Sequence, residues 1–148
     1  MYSLMMMFKQ RGSTYDLRAV NIEGCGGRLP CYITPGEDVQ VSLEFYAGFV
    51  SRNLDQDVVI LINHLNLRTP VTPESCEIQS CPVRVGTVTS FTSVMSVPSN
   101  VATGQRGHLR WRIENEMGRQ VLCYSVLVQT QSPLQKLLRQ LAGIIPRS

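Results

Sequence analysis

From Val39 to Phe45 every second residue is apolar: Val39, Val41, Leu43 and Phe45 alternate with Gln40, Ser42 and Glu44. Successive side chains of a strand point to opposite faces, so this spacing fits a strand with one face in a core and the other in water. Leu109, Trp111 and Ile113, set among His108, Arg110, Arg112 and Glu114, repeat the pattern with no helical spacing. Further β-rich runs are Leu17 to Ile22, Val58 to Asn63, Val83 to Val85, Val88 to Val97 and Val121 to Gln129. Turn signals separate them at Pro35-Gly36, Arg52 to Gln56, Pro70 to Pro73, Pro98 to Gly107 and Glu116 to Gly118. About seven short strands so spaced predict an all-β domain, two antiparallel sheets packed as a β-sandwich.

The period changes only near the C-terminus. Leu134, Leu137, Leu138, Leu141 and Ile145 recur every three to four residues, the mark of a short amphipathic helix. Ser132 suits the N-cap, Pro133 the first turn, Gln135 completes a capping box, and Gly143 is the expected end. The plain expectation is a helix that packs on the sandwich or frays. The sharper one is a basic amphipathic segment that touches a membrane or a partner, with Lys136 and Arg139 near the headgroups. The expected organisation is an N-terminal segment over 1–14, one sandwich domain over 15–131 and an amphipathic tail over 132–148.

A chain of 148 residues is the common size for one domain. No apolar run approaches the roughly 20 residues that cross a bilayer. The net charge is +3, with the basic residues scattered instead of gathered into a stripe, which argues against nucleic acid as partner. Leu4 to Phe8 is shorter than the apolar core of roughly 7 to 15 residues that a secretory signal needs, so no signal peptide is evident.

Five cysteines in so small a chain constrain its chemistry. Cys25 with Cys31, and Cys76 with Cys81, form two close pairs in turn-rich stretches, and Cys123 stands apart. Two local disulfides, each worth about 2 kcal/mol in the chain-entropy model, are favoured over reduced thiols and over zinc. Zinc prefers tighter knuckles and four ligands, and His64 and His108 lie far from both pairs. No nucleophile elbow, phosphate loop or metal-binding histidine pair occurs, so no enzyme, cofactor or metal is expected. Cys123 paired with His64 or His108 as nucleophile and base is the remaining catalytic option. It is disfavoured because Cys123 lies within an apolar strand run, His64 fits a structural role and His108 an exposed one.

Several motifs together add a family resemblance. Cys25-Gly26-Gly27-Arg28-Leu29-Pro30-Cys31, then Tyr32-Ile33-Thr34-Pro35-Gly36-Glu37 and the alternating strand, are followed by Cys76-Glu77-Ile78-Gln79-Ser80-Cys81-Pro82-Val83, Leu109-Arg110-Trp111-Arg112-Ile113 and Leu122-Cys123-Tyr124. Over residues 12–131 this resembles the ML lipid-recognition family, which takes in Niemann-Pick C type 2-like sterol carriers and group 2 mite allergens. The resemblance implies an immunoglobulin-like sandwich with disulfides Cys25–Cys31 and Cys76–Cys81. It also implies a hydrophobic pocket between the sheets for a sterol, fatty acid or similar lipid that is transported or presented without chemical change. By likeness the pocket mouth falls at Leu67, Val71, Val97 and Val101, and its walls at Phe45, Ile60, Ile62, Phe91, Trp111 and Tyr124. The same resemblance places the protein outside the cell or in the endolysosomal lumen, as a monomer, with contact to a membrane or membrane receptor. The alternatives are an immunoglobulin-like protein-interaction module with a filled core and innate-immune recognition of microbial lipids. One departure is clear: Arg11-Gly12-Ser13 stands where the family carries Cys-Gly-Ser, the usual partner of the cysteine matched by Cys123.

Overall fold

The computed structural model describes residues 9–10, 14–25, 29–75 and 81–144. Among them, ten strands and one helix follow in chain order. They are β1 (Lys9–Gln10), β2 (Asp16–Ile22), β3 (Cys31–Ile33), β4 (Asp38–Tyr46), β5 (Leu54–Ile62), β6 (Leu65–Arg68), β7 (Val71–Thr72), β8 (Val88–Ser96), β9 (Arg106–Asn115), β10 (Gln120–Thr130) and α1 (Pro133–Ile144). One sheet runs β1-β10-β9-β5-β6, with β3 also on β10; the other runs β2-β4-β8-β7. The pairings are antiparallel apart from β3, which lies parallel to β10 with Cys31 against Val128.

The alternation does what it predicts. Val39, Val41, Leu43 and Phe45 of β4 are buried, as are Leu109, Trp111 and Ile113 of β9. These rows belong to opposite sheets and to one continuous core. Across the β9–β10 ladder, Trp111 pairs with Tyr124 and their rings stack with centroids 6.1 Å apart. Desolvation in this setting pushes the Tyr124 phenol well above its ordinary value. At one end of the sandwich Tyr15 stacks on Phe45 at 5.5 Å, and its hydroxyl donates to the Phe49 carbonyl at 2.8 Å and meets the Ser51 hydroxyl. The Glu116 carboxylate closes that end, held below the usual carboxylate range by its own backbone N–H and those of Asn53 and Arg52.

Five sequence expectations shift. Val83 to Val85 forms no strand: Val83 makes an isolated bridge to Ser51, because Pro82 has no N–H to extend a ladder and the chain turns at Val85-Gly86. Pro70 to Pro73 is not simply a turn, since Val71 and Thr72 pair with Met95 and Val94. β5 starts at Leu54, inside the expected Arg52 to Gln56 turn, and β9 at Arg106, inside Pro98 to Gly107. β1, β3 and β6 are too short to announce themselves and exist through the longer strands they pair with. His64 lies not in the core but at the tip of the β5–β6 hairpin, where Asn63 and His64 both have positive φ, the backbone of a two-residue type I′ turn.

Cys25 is bonded to Cys31. Cys81 is also disulfide-bonded, while its expected partner Cys76 lies outside the described residues. Cys123 is a buried thiol. At the helix start, the Gln135 N–H donates to Ser132 Oγ at 3.1 Å and the Ser132 N–H to Gln135 Oε1 at 2.8 Å, so the capping box forms. The helix passes through Gly143 to Ile144, since one glycine costs a helix only about 1 kcal/mol without ending it. Ile145 lies outside the described residues.

Gly107 of β9 pairs with Ile62, and a Cβ built there would lie 2.1 Å from the Leu61 carbonyl oxygen. Gly107→Ala must therefore push β9 away from β5 and is expected to cost about 3 kcal/mol. Gly48→Ala, with nothing within 4 Å of its Cβ, should stay within about 0.5 kcal/mol of the parent. Urea unfolding of the two variants checks the contrast.

Candidate functional site

The sheets' neighbouring edges define an open seam. β6 ends at Arg68 in one sheet, and after Thr69-Pro70 the chain re-enters the other sheet as β7 at Val71. Two backbone bonds hold this crossing, Thr69 N–H to the Val58 carbonyl and Ser96 N–H to the Pro70 carbonyl, each 2.9 Å. A cleft of about 290 Å³ opens here, and its lining passes from charged residues at the rim, Arg68 and Glu74, to the core residues Val58 and Val71.

Gln56 organises the floor of this cleft. Its Oε1 accepts the Trp111 indole N–H at 2.9 Å, and its Nε2 donates to Ser93 Oγ at 2.7 Å and to the Pro73 carbonyl at 2.8 Å. Gln56 and Trp111 belong to one sheet, Ser93 to the other, and Pro73 follows β7. One buried amide thus ties the two layers together and fixes the indole. Sequence reasoning missed it by assigning Gln56 to a turn. The signal was present, because Gln56 is in phase with Val58, Ile60 and Ile62, a polar residue at an inward position.

The ten residues proposed from the sequence all reach one core cluster. Phe45, Ile60, Ile62, Val71, Phe91, Val97, Trp111 and Tyr124 are buried in it, and Leu67 and Val101 pack against it half-buried. They do not surround one opening. Val71 lines the seam cleft and pairs with Met95, whereas Phe45 pairs with Thr89, six residues along β8 and so about 20 Å away. Leu67 faces Ile60 across the β5–β6 ladder, close to the seam.

A second cleft, of about 520 Å³, lies between α1 and the sandwich and is lined by Glu23, Tyr32, Glu37, Lys136 and Arg139 among others. The catalytic option finds no geometry: His108 pairs with Leu127 and Cys123 with Arg112, four residues or about 13 Å apart along the ladder, and His64 is exposed on its hairpin. Among the described residues no group of His, Cys, Asp and Glu is placed to hold a metal ion. Nor is any helix among them long and apolar enough to cross a membrane.

Two sheets with facing apolar rows, with a seam that opens beside those rows, define an immunoglobulin-like β-sandwich. The sequence pattern of the ML domain matches residues 9–130, and the chain belongs to that family. It is 29% identical over 105 residues to the mite group 2 allergen Tyr p 2 of Tyrophagus putrescentiae, an alignment covering 64% of this chain and 74% of the allergen. Its fold is similar to the crystal structure of a Niemann-Pick type C2 protein from the Japanese carpenter ant. That match has a TM-score of 0.70 at 15% identity and covers 84% of this chain and 98% of the ant protein. The family is one of lipid-binding, non-enzymatic proteins.

Replacing Gln56 by Leu strands the Trp111 N–H and the Ser93 hydroxyl in the core. Gln56→Leu is expected to lower stability by about 2–3 kcal/mol. Trp111 is the sole tryptophan, so its fluorescence reports the loss directly and should change on mutation even below the unfolding transition.

Proposed function

We propose that the protein binds one lipid molecule between its two sheets and carries or presents it unchanged, taking it in through the seam between β6 and β7. One observation carries this reading: the cleft at that seam has a polar rim and an inner wall of Val58 and Val71, which belong to the same core as the facing rows of both sheets. A ligand entering there meets water-facing groups first and apolar side chains next, the order that suits a molecule with one polar end. At about 290 Å³ the cleft is near the lower end of small-molecule sites, so it fits the leading portion of an acyl chain or sterol, the remainder lying among Ile60, Ile62 and Phe91.

Membership of a lipid-binding family supports this reading. Of the ten residues, Leu67 and Val71 stand at the mouth and Ile60, Ile62 and Phe91 line the way inward, without chemical roles, and the cargo we favour is a sterol or a fatty acid. The setting we infer is the extracellular space or the lysosomal lumen, which suits the Cys25–Cys31 disulfide.

Native mass spectrometry tests the proposal. Protein stripped of lipid and then offered a sterol and a fatty acid should take up one molecule per chain. Val71→Trp, which fills the seam, should reduce uptake at least tenfold without unfolding the sandwich. Bare chain throughout would assign the fold to a protein-interaction module with a filled core.

A further inference from the structure

Helix α1 is built inside out for a globular protein. Its polar side faces the body: Lys136 Nζ is paired with Glu37, and the Arg139 guanidinium lies 3.6 Å over the Tyr32 ring while its Nε donates to Gln131 at 3.0 Å. The leucine stripe faces water instead, with Leu134, Leu137, Leu138 and Leu141 exposed by 63%, 49%, 55% and 45%. A cleft of about 520 Å³ separates much of the helix from the sandwich, so this element is docked through the ion pair, ring contact and hydrogen bond just given.

A 12-residue helix is marginal on its own in water, and exposed ion pairs add little. A sharply two-sided helix that turns its apolar side outward is suited to a boundary between water and hydrocarbon. The stripe exposes roughly 400 Å², a patch of the size that marks an interaction site on a monomer. Two copies stacked through it would together bury roughly 800 Å², short of the approximately 1,200 Å² of a stable protein interface. Charge points the same way, since α1 carries no acidic residue to oppose an anionic lipid surface and the whole chain has a net charge of +3.

We propose that α1 is the face by which this protein lies on an anionic lipid bilayer, its four leucines sunk among the acyl chains. The docking is independent of what the sandwich holds, so it stands or falls apart from the cargo measurement. Flotation of the full chain with vesicles of phosphatidylcholine and phosphatidylserine is the test. The parent protein should rise with the vesicles, and Leu137→Gln/Leu138→Gln should lower the bound fraction at least tenfold. Those positions are already in water, so circular dichroism of the double variant should be unchanged. The proposal fails if the parent stays at the bottom of the gradient or if the double variant floats equally well. It also fails if sedimentation finds a dimer that the double variant dissociates, since the stripe would then belong to a second copy.

Discussion

Burial of one sheet's apolar face against the other's is the constraint on which the rest of this structure depends. Neither sheet can stand alone: β4 and β8 have water on one side and need Trp111, Ile60 and Leu109 on the other. Area removed from water contributes about 25 cal/mol per Å², so the facing rows dominate the stability of the domain. Polar groups enter that interior only with partners, as Gln56 does by satisfying an indole, a hydroxyl and a carbonyl at once. Its three bonds also determine where the layers are pinned.

The pin lies beside the opening. Between β6 and β7 the backbone changes sheets within two residues, leaving the seam to be closed by side chains and a few backbone bonds. A sandwich that admits a guest must open where the cost is least, and an edge between short strands costs less than the centre of a ladder. The far end is different. There Tyr15 stacks on Phe45 and meets Phe49 at a tilt, and Glu116 clasps the 52–53 turn, so that end works as a base. One firm end and one seam open to solvent are the features on which the proposed carriage of lipid rests.

Much of the fold was legible in the sequence because period-two alternation leaves little choice of structure. Val39 to Phe45 and Leu109 to Ile113 revealed both layers, and Ser132, Pro133 and Gln135 marked the helix start to the residue. Short elements were illegible for a physical reason: β3, β6 and β7 have two to four residues each and hold their conformation by pairing with distant strands. The residues named through the family motifs lie in or against one core, yet the seam rests on residues with weak local signals, Thr69, Pro70 and the in-phase Gln56. Periodicity announced an amphipathic helix but not which side would face outward. That depended on Glu37, Tyr32 and Gln131, which come from elsewhere in the fold.

The two proposals put lipid in distinct places, the leucine face of α1 and the interior of the sandwich, and assign cargo to the second. Nuclear Overhauser contacts between a bound, isotope-labelled fatty acid and the protein's methyl groups separate them directly. Contacts from the acyl chain to Val58, Ile60, Ile62 and Val71 are the predicted result. Contacts confined to Leu134, Leu137, Leu138 and Leu141, with the interior methyls silent, would contradict the claim that lipid is held between the sheets.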